Sequence, residues 1–249
     1  FKGKVKSWDV VNEAFNEDGT LRGENIGDEH SFWFDKIGRD FIKIAFETAH
    51  AADPTCDLFY NDYNFLTDSK RAGIIALVNE LKSEGVPIHG IGMQLHLFVW
   101  PEYEKLKSVF TEISGLGLKV HASEIDVLVN SYLLHDHFGG MYGVPFESMY
   151  GIHDLEYAQG KSYNMIVSAY VNYVPAAQQY GISTWGITDK YAYINNKTHF
   201  GYYDWPLMFE TTFKPKKAYS AIIEGIEGID WEVHEAANGW NWRAIEGLE

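Results

Sequence analysis

The sequence is poor in cysteine and in basic residues, and it contains no long apolar run. Cys56 is its single cysteine, which excludes an intramolecular disulfide framework and a zinc site built from several cysteines. No uninterrupted apolar segment approaches the roughly 18 residues that a membrane-spanning helix needs, so we expect no membrane span. The 20 lysines and arginines are outnumbered by 35 aspartates and glutamates, which gives a formal net charge of −15. Because that charge would repel a polyanion, no nucleic-acid partner is expected.

Aromatic residues are what the sequence has in excess. They make up 16% of its 249 residues, as 8 Trp, 16 Tyr and 15 Phe, whereas the apolar total of 46% and the charged total of 22% are ordinary. Such totals are typical of a globular chain and exclude wholesale disorder. Aromatic side chains fill protein cores, and they also stack on the apolar faces of sugar rings. The composition therefore leaves both a well-packed core and a neutral carbohydrate ligand open.

Short apolar strands alternate along the chain with segments of helical period. Strands are predicted over residues 5–12, 58–60, 88–95, 118–125 and 182–187, and helices over 34–48, 67–85, 155–174 and 215–223, with another helix after Pro101. The strands are too apolar to have a solvent-exposed face, and each is followed by a helix. This pattern predicts an α/β fold with a parallel sheet covered by helices. A doubly wound sheet and a (β/α)8 barrel both fit this pattern.

The ends of the predicted strands favour one of the two architectures. No glycine-rich phosphate loop follows any strand, which removes the best support for a nucleotide-binding doubly wound sheet. Five strands instead end in polar or ionisable residues, at the positions where a (β/α)8, or TIM, barrel builds its active face. These residues are Asn12 and Glu13, Asn61 and Asp62, Gln94 and His96, Glu124 and Asp126, and Trp185 and Asp189. We therefore predict the barrel.

Two of these residues, Glu13 and Glu124, could act together on a glycosidic bond. Cleavage with retention needs one carboxyl group to protonate the leaving oxygen and a second, about 5–5.5 Å away, to attack the anomeric carbon. The alternative is that each glutamate pairs with a basic neighbour in the cleft. His96 could hydrogen-bond both Glu124 and Asp126 and so orient the nucleophile. Asn12 could hold a sugar hydroxyl beside the reaction centre, or it could satisfy its own turn.

Six segments resemble, in the same order, segments of the family 10 glycoside hydrolases, the endo-β-1,4-xylanases. They are residues 8–14 (WDVVNEA), 58–64 (LFYNDYN), 90–96 (GIGMQLH), 121–127 (HASEIDV), 184–190 (TWGITDK) and 206–209 (PLMF). The first resembles the acid/base segment of the family, the third its strand with the assisting Gln and His, and the fourth its nucleophile segment. The resemblance implies a (β/α)8 barrel that hydrolyses β-1,4-xylan as an endo-acting, retaining enzyme.

The resemblance also implies a role for each site residue. Glu13 would be the general acid/base, and Glu124 would be the nucleophile, oriented by His96 and Asp126. The implied substrate-binding residues are Asn12, Gln94, Asn61, Tyr63, Trp185 and Tyr193. The last of these stands where the family usually has a tryptophan, so it would form a smaller wall of the cleft. No cofactor and no metal is implied, and the expected ligand is xylan or a xylo-oligosaccharide.

The early position of Glu13 conflicts with a complete barrel. In the family the acid/base ends the fourth strand, and three preceding βα units cannot fit into twelve residues. Residues 1–247 are therefore expected to supply strands four to eight only, with residues 248–249 a cloning remnant. Strands one to three, the N-terminal half of the barrel, would come from another chain or chain segment, because an open half-barrel exposes hydrophobic edges. A secreted, periplasmic or cell-surface location is expected.

Other functions stay open beside xylan hydrolysis. The same chemistry could act on another β-1,4-glycan, such as mixed-linkage glucan or cellulose, and a catalytically inactive carbohydrate-binding relative is a different class. The long stretch 127–153 has two short His-Asp clusters, 135–137 and 153–154, which could bind a metal but are more typical of a solvated loop. Alternatively, this loop borders the aglycone side of the cleft and contacts xylan decorations through its aromatic residues. These are Tyr132, Phe138, Tyr142 and Phe146.

Overall fold

The computed structural model describes residues 1–24, 31–99, 101–129, 152–195 and 204–231, with the backbone alone for residues 152–155. Its strands are β1 (Ser7–Asn12), β2 (Asp57–Asp62), β3 (Gly90–Met93), β4 (His96–Phe98), β5 (Lys119–Leu128) and β6 (Gln179–Thr184). Its α-helices are α1 (Phe32–Ile37), α2 (Phe41–Ala52), α3 (Asp68–Ser83), α4 (Tyr103–Ser114), α5 (Ile152–Tyr173) and α6 (Lys217–Ile226). Most strands are thus followed by a helix, as the sequence predicted.

The chain divides into two units, each with its own packing. Unit 1 is Phe1–His96, Lys107–Ile125 and Tyr173–Ser183, and unit 2 is Leu97–Leu106, Asp126–Asn172 and Thr184–Glu249. In unit 1, β1, β2, β3 and the first part of β5 lie side by side and parallel, and β6 pairs with β5. This parallel sheet confirms the α/β class. That its strands are the fourth to the eighth of a barrel stays a prediction.

The register of the parallel strands brings their polar ends into line. Asn12 of β1 lies opposite Asn61 of β2, and Asn61 lies opposite Gly92 of β3. Gly92 in turn lies opposite His121 of β5. Because the carboxyl ends of parallel strands meet at one edge of a sheet, Asn12 of β1, Asn61 of β2 and Gln94, which directly follows β3, form a single polar edge.

The helices of unit 1 follow the predicted apolar periodicity, with one interruption. One face of α3 is buried through Ile74, Leu77 and Leu81, and the helix stops before Gly85, whose φ is +72°. Residues 34–48 do not form one continuous helix, because Gly38, with a φ of +69°, ends α1. A single 3-10 turn, Gly38–Asp40, then leads into α2.

The structure also differs from the sequence prediction at β4 and β5. The sequence did not predict β4, and it placed Glu124 at the end of a strand, whereas β5 continues to Leu128. The extension has its backbone partners within unit 2. Val99 N donates to Leu128 O at 3.1 Å, and Val127 N donates to Pro206 O at 3.1 Å. Pairings between segments so distant in sequence leave no trace in local periodicity.

Unit 2 has its core along α5. Tyr163, Ile166 and Tyr170 are buried, and their spacing of three and four residues puts them on one helical face. A buried ion pair joins Asp189 to Lys216, with Asp189 Oδ2 3.0 Å from Lys216 Nζ. Burial raises the pKa of Asp189 and lowers the pKa of Lys216, and the attraction between the two charges opposes both changes.

Several sequence predictions lie outside the described residues. They concern most of the 127–153 loop, with its metal-binding alternative at 135–137, and the 248–249 remnant. The aromatic residues proposed to contact xylan decorations, which are Tyr132, Phe138, Tyr142 and Phe146, lie there too, as do the side chains of 153–154. Among the helices of the described segments, none combines the length and the apolar character needed to cross a membrane.

Candidate active site

Three side-chain amides connect Glu13 to Glu124 at the polar edge of unit 1. Gln94 Nε2 donates to Glu13 Oε1 at 3.0 Å and to Asn12 Oδ1 at 3.3 Å. Asn61 Nδ2 donates to the same Asn12 oxygen at 2.8 Å and to Glu124 Oε1 at 2.8 Å. We call Asn12, Asn61 and Gln94 the amide chain. It places the two glutamates, far apart in sequence, in one hydrogen-bonded cluster.

Glu124 has a neighbour at each of its carboxylate oxygens. Asn61 donates to Oε1, and His96 Nε2 lies 3.4 Å from Oε2. The Asn61 amide is itself oriented, because Ser123 Oγ donates to Asn61 Oδ1 at 2.7 Å. The Glu124 side chain is only 12% exposed, so few water molecules compete for its oxygens. A carboxylate held in this way can be aimed at one atom of a substrate, as a nucleophile must be.

The position of Asn61 depends on the absence of a side chain at Gly92. The two residues lie opposite each other in the β2–β3 ladder. A Cβ atom on Gly92 would lie 3.0 Å from Asn61 Cγ and closer still to Asn61 Oδ1. Since a Cβ atom cannot approach so closely, only glycine at this position allows the Asn61 amide to reach Glu124.

Glu13 lies in a left-handed turn directly after β1. Its φ is +54°, a conformation that costs a non-glycine residue roughly 1–3 kcal/mol unless the surroundings enforce it. Two hydrogen bonds hold the turn, from Glu13 N to Asn61 O at 2.9 Å and from Ala14 N to Tyr60 Oη at 3.2 Å. The Glu13 side chain is 34% exposed, and its Oε2 lies 3.9 Å from Arg22 Nη1. A substrate can therefore reach this carboxyl group.

A buried ion pair lies behind the Glu13 turn. Lys70 Nζ is 3.0 Å from Asp62 Oδ1, and neither side chain is exposed. The Tyr60 hydroxyl donates to the other oxygen of Asp62. Burial raises the pKa of Asp62, and the positive charge of Lys70 opposes that rise. Burial and the Asp62 charge raise the pKa of Tyr60 well above its ordinary value, so its hydroxyl stays a donor.

Tyr63 links the same ion pair to Arg22. Lys70 Nζ lies 3.3 Å from the centre of the Tyr63 ring, a cation–π contact. Arg22 Nη2 donates to the Tyr63 hydroxyl at 2.7 Å. Sequence reasoning assigned Tyr63 to substrate binding and gave no role to Arg22, Lys70, Tyr60 or Ser123. The available signals were Asp62, a polar residue at the end of a strand, and the family-like segments that contain Tyr60 and Ser123.

Three of the predicted site residues belong to unit 2. Asp126 is fully buried, and its charge, after the larger effect of burial, raises the pKa of Tyr163. Trp185 is 47% exposed and Tyr193 is 38% exposed, so both present aromatic surface to solvent. The predicted contact of His96 with Glu124 is present, whereas its predicted contact with Asp126 stays a prediction.

The chemistry open to the unit 1 cluster is that of two carboxyl groups with different surroundings. Glu13 is accessible and Glu124 is sheltered, so one can exchange a proton with a substrate while the other attacks a carbon atom. No three His, Cys, Asp or Glu side chains in the described part of the chain form a group that could hold a metal ion.

Comparisons with known proteins extend over most of the chain. Residues 1–225 match the family model described as glycosyl hydrolase family 10. An endo-1,4-beta-xylanase of Geobacillus stearothermophilus is 35% identical over 229 residues, covering 90% of this chain and 63% of that protein. Endo-1,4-beta-xylanase A of Cellvibrio japonicus is 35% identical over 236 residues, covering 92% of this chain and 38% of that protein. The chain therefore spans less than two thirds of the length of either relative.

A solved structure gives a similar match. It is a mutant of xylanase A from P fluorescens subsp. cellulosa in complex with xylopentaose. The two structures align with a TM-score of 0.77 at 34% sequence identity, over 92% of this chain and 67% of the other.

Proposed function

The chain belongs to glycosyl hydrolase family 10, and we propose that it is the main part of a retaining endo-β-1,4-xylanase. The family and its solved structures imply a (β/α)8 barrel, with which the parallel sheet of unit 1 agrees. The observation that carries the proposal is the amide chain between Glu13 and Glu124. The two curated relatives are named as endo-1,4-beta-xylanases, and the solved structure binds xylopentaose, which supports xylan as the substrate.

The reaction proceeds by two displacements. In the first, Glu124 attacks the anomeric carbon while Glu13 gives its proton to the leaving oxygen, so the glycosidic bond breaks as a glycosyl ester of Glu124 forms. In the second, Glu13, now a carboxylate, takes a proton from water, whose oxygen attacks the same carbon and releases Glu124. Two inversions at one carbon give net retention. The different exposure of the two carboxyl groups supports this division of roles.

The other site residues assist these two. Asn61 and His96 orient Glu124, a task that the resemblance also assigns to Asp126. Asn12 accepts both amide hydrogen bonds through its oxygen, so its NH2 group is the part that can donate to a sugar hydroxyl beside the reaction centre. The residues proposed to contact the sugar chain are Asn12, Gln94, Asn61, Tyr63, Trp185 and Tyr193.

The assay that tests the function measures reducing ends released from xylan by the complete enzyme. We expect Glu124→Ala to lose more than roughly a thousandfold in turnover, and Glu47→Ala, on the exposed face of α2, to keep it. Proton NMR of the first product should show the β-anomer. An α-anomer would mean inversion, and wild-type turnover of Glu124→Ala would refute the nucleophile. A higher kcat/KM on mixed-linkage glucan or cellulose than on xylan, or binding without cleavage, would favour the alternatives.

We also propose that residues 1–247 supply strands four to eight of the barrel and that another chain or chain segment supplies strands one to three. Within the described residues, β1 pairs with β2 on one side and with no strand on the other. A groove of about 830 Å³ runs beside β1 and is lined on its other side by α2. Among its lining residues, Trp33 is 61% exposed, and Ile37 and Ile44 are 46% exposed. An open strand edge beside apolar surface favours cover by another element.

Co-expression tests this second proposal. The 249-residue chain is produced alone and together with a polypeptide carrying strands one to three, and native mass spectrometry and xylanase activity are measured. We expect a 1:1 complex and activity only from the pair. Ile44→Lys should weaken the complex, whereas Ile223→Lys, which changes an exposed isoleucine of α6, should not. Full activity from the 28.4 kDa chain alone would refute the proposal.

A secreted, periplasmic or cell-surface location is proposed as well, because xylan is a polymer too large to enter a cell intact. Fractionation of the source cells followed by activity assays of each fraction tests it. Activity confined to the cytoplasm would refute it.

A further inference from the structure

The backbone of the Glu13 turn is held by a tyrosine of the neighbouring strand. Ala14 N, the amide directly after Glu13, donates to Tyr60 Oη at 3.2 Å. Tyr60 is completely buried, so water does not replace this acceptor. Because Glu13 has a left-handed φ of +54°, its side chain keeps its direction only as long as such contacts hold the turn.

The Tyr60 hydroxyl is held in place by a second hydrogen bond, which uses its own proton. It donates that proton to the carboxylate of Asp62. Asp62 is fixed in turn by Lys70, whose Nζ lies 3.0 Å from Asp62 Oδ1, and by the backbone N of Tyr63 at 2.8 Å. The buried ion pair thus fixes the position of the Tyr60 hydroxyl that accepts from the Glu13 turn.

A second path leads from the same ion pair to the Glu13 carboxylate. Lys70 Nζ lies 3.3 Å from the centre of the Tyr63 ring, and the Tyr63 hydroxyl accepts from Arg22 Nη2 at 2.7 Å. Arg22 Nη1 lies 3.9 Å from Glu13 Oε2. The ion pair therefore supports Glu13 from the backbone side through Tyr60 and from the carboxylate side through Tyr63 and Arg22.

We propose that the buried Asp62–Lys70 ion pair, with Tyr60, is a positioning unit for the general acid Glu13. The inference rests on the proposed function, because it presupposes that Glu13 protonates a leaving group. Tyr60, Asp62 and Lys70 have no exposed side-chain surface, so they act through Glu13 and do not touch a substrate. They determine how the Glu13 carboxyl group is positioned relative to the leaving oxygen, and a small displacement slows the proton transfer strongly.

A positioning role predicts a dependence on the leaving group that a purely structural role does not. A sugar leaving group needs the proton of Glu13, whereas dinitrophenolate leaves well without it. The ratio kcat/KM reports the steps up to formation of the glycosyl-enzyme. A misplaced general acid therefore lowers kcat/KM for xylo-oligosaccharides and leaves kcat/KM for a dinitrophenyl xylobioside unchanged. General loss of structure lowers both equally.

The experiment compares Tyr60→Phe with wild type in the complete enzyme on these two substrates. We expect kcat/KM to fall roughly 10- to 100-fold on xylotetraose and less than about twofold on 2,4-dinitrophenyl β-xylobioside. Tyr163→Phe is the matched control, because it also removes a buried hydroxyl, one that donates to Pro206 O at 2.7 Å. It should change both values by the same factor. The double variant Asp62→Asn with Lys70→Met, which removes both charges together, should show the same leaving-group dependence as Tyr60→Phe.

Two outcomes would overturn the proposal. Tyr60→Phe could lower both values equally, which would make the unit merely structural, or it could change neither. Glu124→Ala separates this failure from failure of the proposed function. If Glu124→Ala is inactive on both substrates while Tyr60→Phe shows no leaving-group dependence, only the positioning unit is refuted. If Glu124→Ala stays active on the dinitrophenyl substrate, the proposed function is refuted with it.

Discussion

Asn61 donates its side-chain amide to Glu124 across 2.8 Å. The same nitrogen donates to Asn12, so one residue of β2 supports both the proposed nucleophile and the residue beside the proposed acid. Sequence reasoning assigned Asn61 to substrate binding. Its contacts indicate a second task, which is to orient Glu124.

Replacing Asn61 should slow the reaction without unfolding the protein. Asn61→Ala removes a hydrogen bond to a charged group, which is worth about 1.5–3 kcal/mol, so we expect kcat to fall roughly 10- to 100-fold. Gln178→Ala is the control, because the Gln178 amide bridges two backbone oxygens, Ser114 O at 2.9 Å and Leu118 O at 3.0 Å. It should cost stability while kcat is preserved. Steady-state kinetics on xylan measure kcat for both variants. An unchanged kcat for Asn61→Ala would contradict its role in orienting Glu124.

Gly92→Ala should displace the same Asn61 amide without changing Asn61 itself. The added Cβ would lie 3.0 Å from Asn61 Cγ and push the side chain away from Glu124, which we expect to lower kcat at least about tenfold. Gly181→Ala changes another strand glycine, where the Cβ would lie an ordinary 3.9 Å from His121 Cδ2, and should be tolerated. Equal activity of the two variants would show that Asn61 needs no such space.

Asp53 should make the stability of the protein fall in acid. Its carboxylate accepts from Thr55 Oγ1 at 2.6 Å and from Gly3 N at 2.6 Å, and these hydrogen bonds lower the pKa of Asp53 well below its ordinary 3.8. The folded state therefore binds this proton less tightly than the unfolded state. The stabilisation is complete above about pH 4 and is lost as the pH falls further, through the lowered pKa.

Urea denaturation at pH 7 and pH 3 checks this expectation. Asp53→Asn should be less stable than wild type at pH 7 and should lose less between the two pH values. Glu47→Gln, at an exposed position of α2, should behave as wild type. A parallel pH dependence of Asp53→Asn and wild type would rule Asp53 out as a source of the acid sensitivity.

Lys216 should be needed for the stability of unit 2. Its Nζ lies 3.0 Å from Asp189 Oδ2, and the two side chains are 5% and 1% exposed. Lys216→Met leaves a buried carboxylate without an opposite charge, with the hydrogen bond from Leu207 N to Asp189 Oδ1 at 2.8 Å retained, so we expect the free energy of unfolding to fall by roughly 3–5 kcal/mol. Adding Asp189→Asn should restore part of that loss, because it removes the uncompensated charge. Urea denaturation measures both variants, and a loss below 1 kcal/mol for Lys216→Met would argue against the pair.

Much of the fold was predictable because it depends on local periodicity. The apolar positions of α3 and the glycine after it were enough to bound that helix, and the strands that form β1, β2 and β3 were found for the same reason. The break at Gly38 was not found, since the apolar repeat continues across it. The extension of β5 was missed because its partners, Val99 and Pro206, lie in distant segments.

The site residues also divide into those with a local signal in the sequence and those without one. The strand ends and the resemblance to family 10 predicted six site residues that the structure brings into one cluster, and the comparisons confirm the resemblance itself. These residues are Glu13, Glu124, His96, Asn12, Asn61 and Gln94. Arg22 follows Glu13 in an irregular stretch, and Lys70 lies on a helix among other charged residues, so neither had a local signal. Their contacts with Tyr63 exist only once the strand and the helix have packed.

The amino-acid order alone was sufficient for the family and the α/β class and for proposing the pair of glutamates, because alternating apolar periods and strand-end motifs are local properties of a chain. The register of β1, β2 and β3 decided which amides face which carboxylates, and packing decided that Lys70 is buried against Asp62 beneath Tyr63. Those contacts join residues that have no relation along the chain, and their geometry follows from the positions of whole strands and helices in space.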